Sequence, residues 1–312
     1  MSASQQVDEL IRREGLPPDY RATITDYIEP LAQRVAAWQQ ALDRPLVLGL
    51  NGAQGTGKST LALFLQALLT EAHGLACARF SLDDIYFTRA EREGLAESVH
   101  PLLLTRGVPG THDLLLGQQV IDSLVTATPD HDTAIPAFDK SRDDRRPKPE
   151  WPLFRGQPEV VLIEGWCLGS RAERDPVRLA QPLNELEAVE DGDNLWRQHV
   201  NDQLHDAYAW FFDQIDRMVM LKAPSMECVI QWRTLQEHKL AQRSGDAPEQ
   251  GKKPDRIMTD DEVYRFIMHY ERVTRHTLYD LPGRADVVFN IDPAHRIVGQ
   301  TFKDQLEGDW LR

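Results

Sequence analysis

At 312 residues the chain is long enough to bury a large core, either as one big α/β domain or as two small ones. Its three cysteines, Cys77, Cys167 and Cys228, form no CxxC pair and leave one thiol outside any disulfide scheme, which points to a reduced, cytoplasmic protein. A formal net charge of −14 and the lack of an apolar signal segment or membrane-length apolar run argue against nucleic-acid and membrane partners.

In chain order, residues 1–43 read as a helical segment in two pieces, broken at Leu16-Pro17-Pro18-Asp19, with no catalytic signature. The expected role of this segment is packing or assembly. Leu46 to Leu50 then reads as a buried strand, and Ser59 to Leu69 is apolar at helical spacing. Between them Gly52-Ala53-Gln54-Gly55-Thr56-Gly57-Lys58-Ser59 fits the template G-x-x-x-x-G-K-[ST], in the strand-to-helix setting that the template requires. Polyphosphate carries several charges that need closely spaced donors. Gly52, Gly55 and Gly57 can take φ > 0 and bring backbone N–H groups against it, and the helix N-terminus adds its dipole. Residues 52–60, through Thr60, are therefore the expected nucleotide cradle, with Lys58 on the β- and γ-phosphates and the Ser59 hydroxyl on Mg²⁺.

A second strand is expected at Ala76 to Leu82, followed by Ser81-Leu82-Asp83-Asp84-Ile85-Tyr86. Acids at the carboxyl end of a strand face the ligand crevice of an open α/β sheet. Asp83 is the candidate base that orients an acceptor hydroxyl, and Asp84 is assigned to backbone donors; Thr88 and Glu91 cap the next helix. The segments 100–113 and 135–147 concentrate Arg, His and Asp in turn-rich backbone, which suits either a small hydroxylated acceptor or a solvated loop. Val160 to Ile163 is an apolar strand that ends in Glu164, a carboxylate placed to hold Mg²⁺ directly or through water.

Further strands are expected at Arg217 to Leu221 and Asp286 to Ile291. A helix starting near Ser225 carries Arg233, which either reaches the γ-phosphate as a lid arginine or pairs with Glu237 at i+4. Gln242 to Asp255 is polar, without apolar period, and is read as a loop. On the helix from Asp261 to Tyr279, capped by Thr259 and Glu262, Arg265, His269, Arg272 and His276 form one stripe, read as either an anion contact or a solvated face. Strands alternating with helices, each a continuous apolar run, give an α/β fold of the P-loop NTPase type: a mostly parallel sheet covered by helices on both faces, with a lid and an N-terminal helical appendage. N-K-x-D, H-R-D, D-F-G and H-E-x-x-H signatures are absent, which excludes guanine-nucleotide switches, protein kinases and a zinc protease site.

The ordered series GLNGAQGTGKSTL, SLDDIYFT, HPLLLTRGVPGTHD, IPAFDKSRDDRRP, VVLIEGWCLG, DNLWRQHVN and HYERVTRHTL, over residues 44–292, resembles the plant-type D-glycerate 3-kinases and their fungal and bacterial relatives. These belong to the phosphoribulokinase, uridine kinase and pantothenate kinase superfamily. The resemblance implies a P-loop kinase domain over 44–312 with a lid near 225–258. It implies ATP and Mg²⁺ as cofactors and a small hydroxylated acceptor. It supports Asp83 as base, although Ile85 stands where an aromatic is usual, and Lys58, Ser59 and Glu164 in the nucleotide and metal site. The expected catalytic set is Asp83, Lys58 and Arg233. The expected acceptor set is Asp83, Tyr86, Arg106, His112, Lys140, Arg142 and Arg145, with Arg272 and His276 from the stripe. D-glycerate is the leading acceptor. Pantothenate, a nucleoside or a pentose phosphate are the alternatives within kinase chemistry, and a regulatory ATPase without a small acceptor is the alternative outside it.

Overall fold

The computed structural model describes residues 3–246 and 258–303. Helix α1 (Ala3–Arg13) ends before the Pro17-Pro18 break; α2 (Tyr20–Thr23) runs through a π turn at Ile24–Ile28 into α3 (Glu29–Gln40). Ile11, Ile24, Ile28, Leu31 and Val35 of this segment are buried in the same core as the helix after the first strand, so the N-terminal helices are part of one packed layer.

Strand β1 (Leu46–Gly52) leads through the glycine-rich loop into α4 (Lys58–His73), and β2 (Cys77–Ser81) follows. Helix α5 (Arg89–Ser98) starts on the Thr88–Glu91 capping box, and α6 (Leu114–Val125) on Asp113, whose carboxylate accepts from Leu116 N–H. Four short strands, β3 (Asp132–Ala134), β4 (Phe138–Asp139), β5 (Asp144–Arg145) and β6 (Leu153–Arg155), form two antiparallel pairs, β3 with β6 and β4 with β5. Then come β7 (Val160–Gly165), α7 (Pro176–Ala180), α8 (Glu185–Glu190), α9 (Leu195–His205) and α10 (Ala207–Phe212). The chain continues with β8 (Arg217–Lys222), α11 (Met226–Asp246), α12 (Asp260–Asp280) on its Thr259–Glu262 box, β9 (Val287–Ile291) and β10 (Ile297–Phe302).

The main sheet has six strands in the order β10-β9-β8-β1-β7-β2, all parallel except the edge strand β10. The five strands expected from apolar runs are all present; β10 had no such signal. The runs are continuous because both faces are covered. Leu46, Leu48 and Leu50 of β1, with Val160 and Leu162 of β7, pack under α1, α3 and α4. Val47, Val161 and Ile163 point the other way, against residues of α6, α9, α10 and α12. Because side chains alternate along a strand, Glu164 falls on the same face as Leu162, toward the start of α4. From β1 the chain passes over the β7 position to reach β2, so the carboxyl ends of β1, β7 and β2 open onto one crevice.

The loop read at Gln242 to Asp255 lies for residues 247–257 outside the described residues; helix α11 extends through Asp246, further than that reading placed it. Among the described residues, no helix is long and apolar enough to cross a membrane.

Candidate active site

The glycines of the phosphate loop serve different purposes. Gly55 and Gly57 have φ of 79° and 87°, in the left-handed region, as expected. Gly52 does not; there a Cβ would lie 2.5 Å from Thr56 Oγ1, which donates to the Ala53 carbonyl at 2.8 Å and tightens the loop. The Gly52 requirement is thus closeness rather than positive φ. Ala53 and Thr56 are buried, the Gln54 side-chain oxygen is buried without a hydrogen-bond partner among the described residues, and Thr60 follows Ser59 on the first turn of α4.

Ser59 Oγ donates to Glu164 Oε1 at 2.7 Å across 105 residues of sequence. Lys58 Nζ stands 3.9 Å from Glu164 Oε2, and that oxygen is buried with no hydrogen-bond partner among the described residues. A buried, unpartnered carboxylate oxygen is costly unless something meets it. A hydroxyl and a carboxylate oxygen side by side are the hard donors that Mg²⁺ prefers, so these residues fit that ion.

Asp83 and Asp84 divide their tasks. In the 3₁₀ turn Leu82–Ile85, Ser81 Oγ accepts from Asp83 N–H at 3.1 Å, and the Asp84 carboxylate accepts from Ser81 N–H at 2.9 Å. Asp84 is therefore tied to the backbone. The Asp83 carboxylate accepts from Tyr86 Oη and Lys140 Nζ, both at 2.6 Å. Burial opposes its ionisation, but the ammonium groups of Lys140 and Lys58 and these two hydrogen bonds outweigh it and hold Asp83 well below the usual carboxylate range. Asp84 moves the other way, to about 6, because burial and the nearby Asp83 and Glu164 charges oppose a further anion, partly offset by the Ser81 N–H.

Around Asp83, the Tyr86 ring stacks on His112 with centroids 4.9 Å apart and meets Phe138 edge-on at 5.1 Å. Tyr208 Oη accepts from Gly110 N–H at 3.0 Å and shares a hydrogen bond with His112 Nδ1, 2.5 Å away. His112 Nε2 is buried with no hydrogen-bond partner among the described residues, and burial pulls the pKa of the ring down to about 4. Arg106 pairs with Asp143 and lies 5.6 Å over the Phe138 ring; its carbonyl accepts from Tyr270 Oη at 2.6 Å. Lys140, Arg106, Tyr86 and His112 thus gather at the mouth of Asp83.

Other expected acceptor residues do not join them as free groups. Arg145 donates to the Tyr86 carbonyl at 2.8 Å and to Asp113 at 3.3 Å, a brace behind the site. Arg142 is exposed, its backbone N–H on Asp139, and lines a cavity of about 350 Å³ with Arg145 and Arg146. The stripe on α12 is not a row of free cations open to an anion, which corrects that reading, and only Arg265 keeps an exposed side chain. Arg272 donates to Glu187 at 2.6 Å and to the carbonyls of Arg178 and Gln181, His276 faces Glu173 at 3.6 Å, and Arg265 pairs with Glu190. The acids of residues 173–190, distant in sequence, cover it. Arg233 makes the i+4 pair with Glu237 at 2.7 Å, while its backbone N–H lies 3.4 Å from where a Gly55 Cβ would stand. It is therefore paired and beside the phosphate loop at once.

Two residues at this site carried no sequence signal. Trp232 Cβ would lie 2.9 Å from a Cβ on Gly55, and His295, at φ 64° in the β9–β10 turn, stacks on Trp232 with centroids 4.6 Å apart. They close one side of the loop from α11 and from the far end of the chain.

No family model matches the chain. It is 34% identical over 234 residues to the "uncharacterized kinase mug58" of Schizosaccharomyces pombe, covering 73% of this chain and 79% of that protein. It is 31% identical over 235 residues to the chloroplastic D-glycerate 3-kinase of Arabidopsis thaliana, covering 72% of this chain and 46% of that protein. Among solved structures, the D-glycerate 3-kinase of Cryptococcus neoformans var. grubii aligns with a TM-score of 0.68 at 27% identity, covering 87% of this chain and 99% of that one.

Proposed function

The chain belongs to the family of ATP-dependent P-loop kinases that includes mug58 and is related to the D-glycerate 3-kinases, and from that premise we propose that it transfers the γ-phosphoryl group of ATP to the 3-hydroxyl of D-glycerate. The observation that carries the reading is convergence: the phosphate loop, Lys58, the Ser59–Glu164 pair and Asp83 all meet at the carboxyl ends of β1, β7 and β2. Residues 52–60 cradle the phosphates and Lys58 neutralises charge on them. Ser59 and Glu164 hold Mg²⁺, which when bound supplies further charge neutralisation at the phosphates. Asp83 accepts the proton of the acceptor hydroxyl as its oxygen bonds to the γ-phosphorus and the bond to the ADP oxygen breaks. Arg233, beside the phosphate loop on α11, faces the transferring group within a lid over 225–258, of which residues 247–257 lie outside the described residues. The kinase unit is residues 44–312, with the 1–43 helices folded onto α4. Three free, buried cysteines support a reducing, cytoplasmic setting.

The test is a coupled ADP-release assay with D-glycerate, L-glycerate, pantothenate, uridine and ribulose 5-phosphate. D-glycerate is expected to give the highest kcat/KM. Steady ATP hydrolysis that none of the five acceptors accelerates would overturn the kinase reading in favour of a regulatory ATPase.

A further inference from the structure

The base proposed for the transfer is held by a lysine. Asp83 Oδ1 accepts from Tyr86 and Oδ2 from Lys140, each at 2.6 Å, so an incoming hydroxyl meets a carboxylate whose charge is already engaged by an ammonium and a phenol. The two members of the ion pair differ in exposure: the Asp83 side chain is 20% exposed and that of Lys140 61%. Lys140 sits in the turn between β4 and β5. The Asp139 carboxylate fixes that turn by accepting from Ser141 N–H at 3.0 Å, Ser141 Oγ at 2.6 Å and Arg142 N–H at 3.3 Å. Phe138, edge-on to Tyr86, anchors the turn beside Asp83. The turn that carries Lys140 is thus tied down, while the side chain is largely exposed and has room to leave Asp83.

An ion pair with one member largely exposed is screened by water on that side and is worth less than a fully buried one, so a competing anion can displace the carboxylate. A ligand moves such an equilibrium only by its differential affinity for the two arrangements. A neutral alcohol offers the ammonium nothing in place of Asp83; an acceptor bearing a carboxylate does. Arg106, lying over the Phe138 ring, is a second cation at the same mouth, its charge shared with Asp143. We infer that Lys140 is a latch on Asp83 that the carboxylate of the acceptor releases, so that the base is freed only when an anionic acceptor is in place. The latch rests on the kinase reading above and gives it a specificity and a guard against water. Without an acceptor, Asp83 stays paired and is a poor base for hydrolysis. With one, the ammonium moves to the acceptor carboxylate and Oδ2 is left to take the hydroxyl proton.

The experiment compares the full-length protein with Lys140→Met and Lys140→Arg, following ADP release with D-glycerate, with glycerol and with no acceptor, and D-glycerate binding by calorimetry. The wild type is expected to prefer D-glycerate over glycerol by at least about a hundredfold in kcat/KM. Lys140→Met should cut that preference to within about tenfold, weaken D-glycerate binding about tenfold or more, and raise acceptor-free hydrolysis at least about threefold. Lys140→Arg should retain the preference. If Lys140→Met slows turnover yet keeps the preference and the low hydrolysis, the lysine merely positions Asp83 and the latch is overturned while the kinase reading stands. A wild type that uses both alcohols equally well overturns the latch too. Absence of ADP release dependent on D-glycerate from the wild type overturns D-glycerate as the acceptor and the latch with it.

Discussion

Asp83→Asn separates chemistry from nucleotide binding, because among the described residues the side chain hydrogen-bonds to Tyr86 and Lys140 and to neither the phosphate loop nor the Ser59–Glu164 pair. Its partners are Tyr86 and Lys140, and an amide can keep one acceptor for them while losing the negative charge. General-base assistance contributes on the order of 10²–10⁴ to rate, so kcat for D-glycerate should fall at least about a hundredfold while the ATP dissociation constant changes by less than about threefold. Stability responds in a direction set by the depressed pKa. A carboxylate that is more acidic folded than unfolded stabilises the native state above its unfolded pKa, and that contribution is lost as pH falls through the folded value. At pH 7 the whole contribution is present. With Lys140 largely exposed and the pair screened, it amounts to about 1–2 kcal/mol, or roughly 2–8 °C in Tm. The Tm difference between wild type and variant should shrink as the pH is lowered past about 4. The assays are initial-rate ADP release, ATP binding by calorimetry, and thermal unfolding at pH 7 and below. Turnover within about fivefold of the wild type would refute the role of Asp83 as base.

Lys58→Ala should abolish turnover and lower Tm, since buried Glu164 loses the cation 3.9 Å away and Asp83 loses a second one; a variant that keeps full activity contradicts the phosphate-loop assignment. Arg272→Ala should do the opposite, lowering stability by about 3 kcal/mol because Glu187, fully buried, loses its cation, while the KM values for ATP and acceptor stay put; a selective rise in the acceptor KM would restore the stripe as a binding surface. His112 and His269 are both held to about 4 by burial, so the folded state binds fewer protons than the unfolded chain between pH 6.5 and 4, and stability is lost as pH falls through that window. Each contributes about 3 kcal/mol to the loss, and His269→Gln should remove one share of the slope in Tm against pH; an unchanged slope refutes the assignment.

How much of this was legible beforehand follows from the range of the interactions. The phosphate loop, the capping boxes at Thr88–Glu91 and Thr259–Glu262, and the tie of Asp84 to the Ser81 backbone rest on residues a few positions apart, and spacing encodes them directly. The five parallel strands were legible for a different reason: a strand buried on both faces must be apolar throughout, and few other segments of this chain are. The fates of the arginines were not legible. Arg272 and Arg145 look like binding residues in sequence because guanidinium groups serve carboxylates, phosphates and carbonyls alike. Only the placement of Glu187, 85 residues away, and of Asp113 and the Tyr86 carbonyl shows what each one serves.

By itself, then, the sequence determined a strand-loop-helix unit that can wrap a polyphosphate, and a set of apolar runs that cannot avoid forming a sheet with two covered faces. What only the tertiary structure decided is which charges face one another. Inserting β7 between β1 and β2 carries Glu164 to Ser59, and folding the β4–β5 turn over the end of β2 carries Lys140 to Asp83. Those meetings depend on strand order and on the paths of connecting loops. Both are set by the packing of the whole chain, since no local periodicity records which strand will be the neighbour of which.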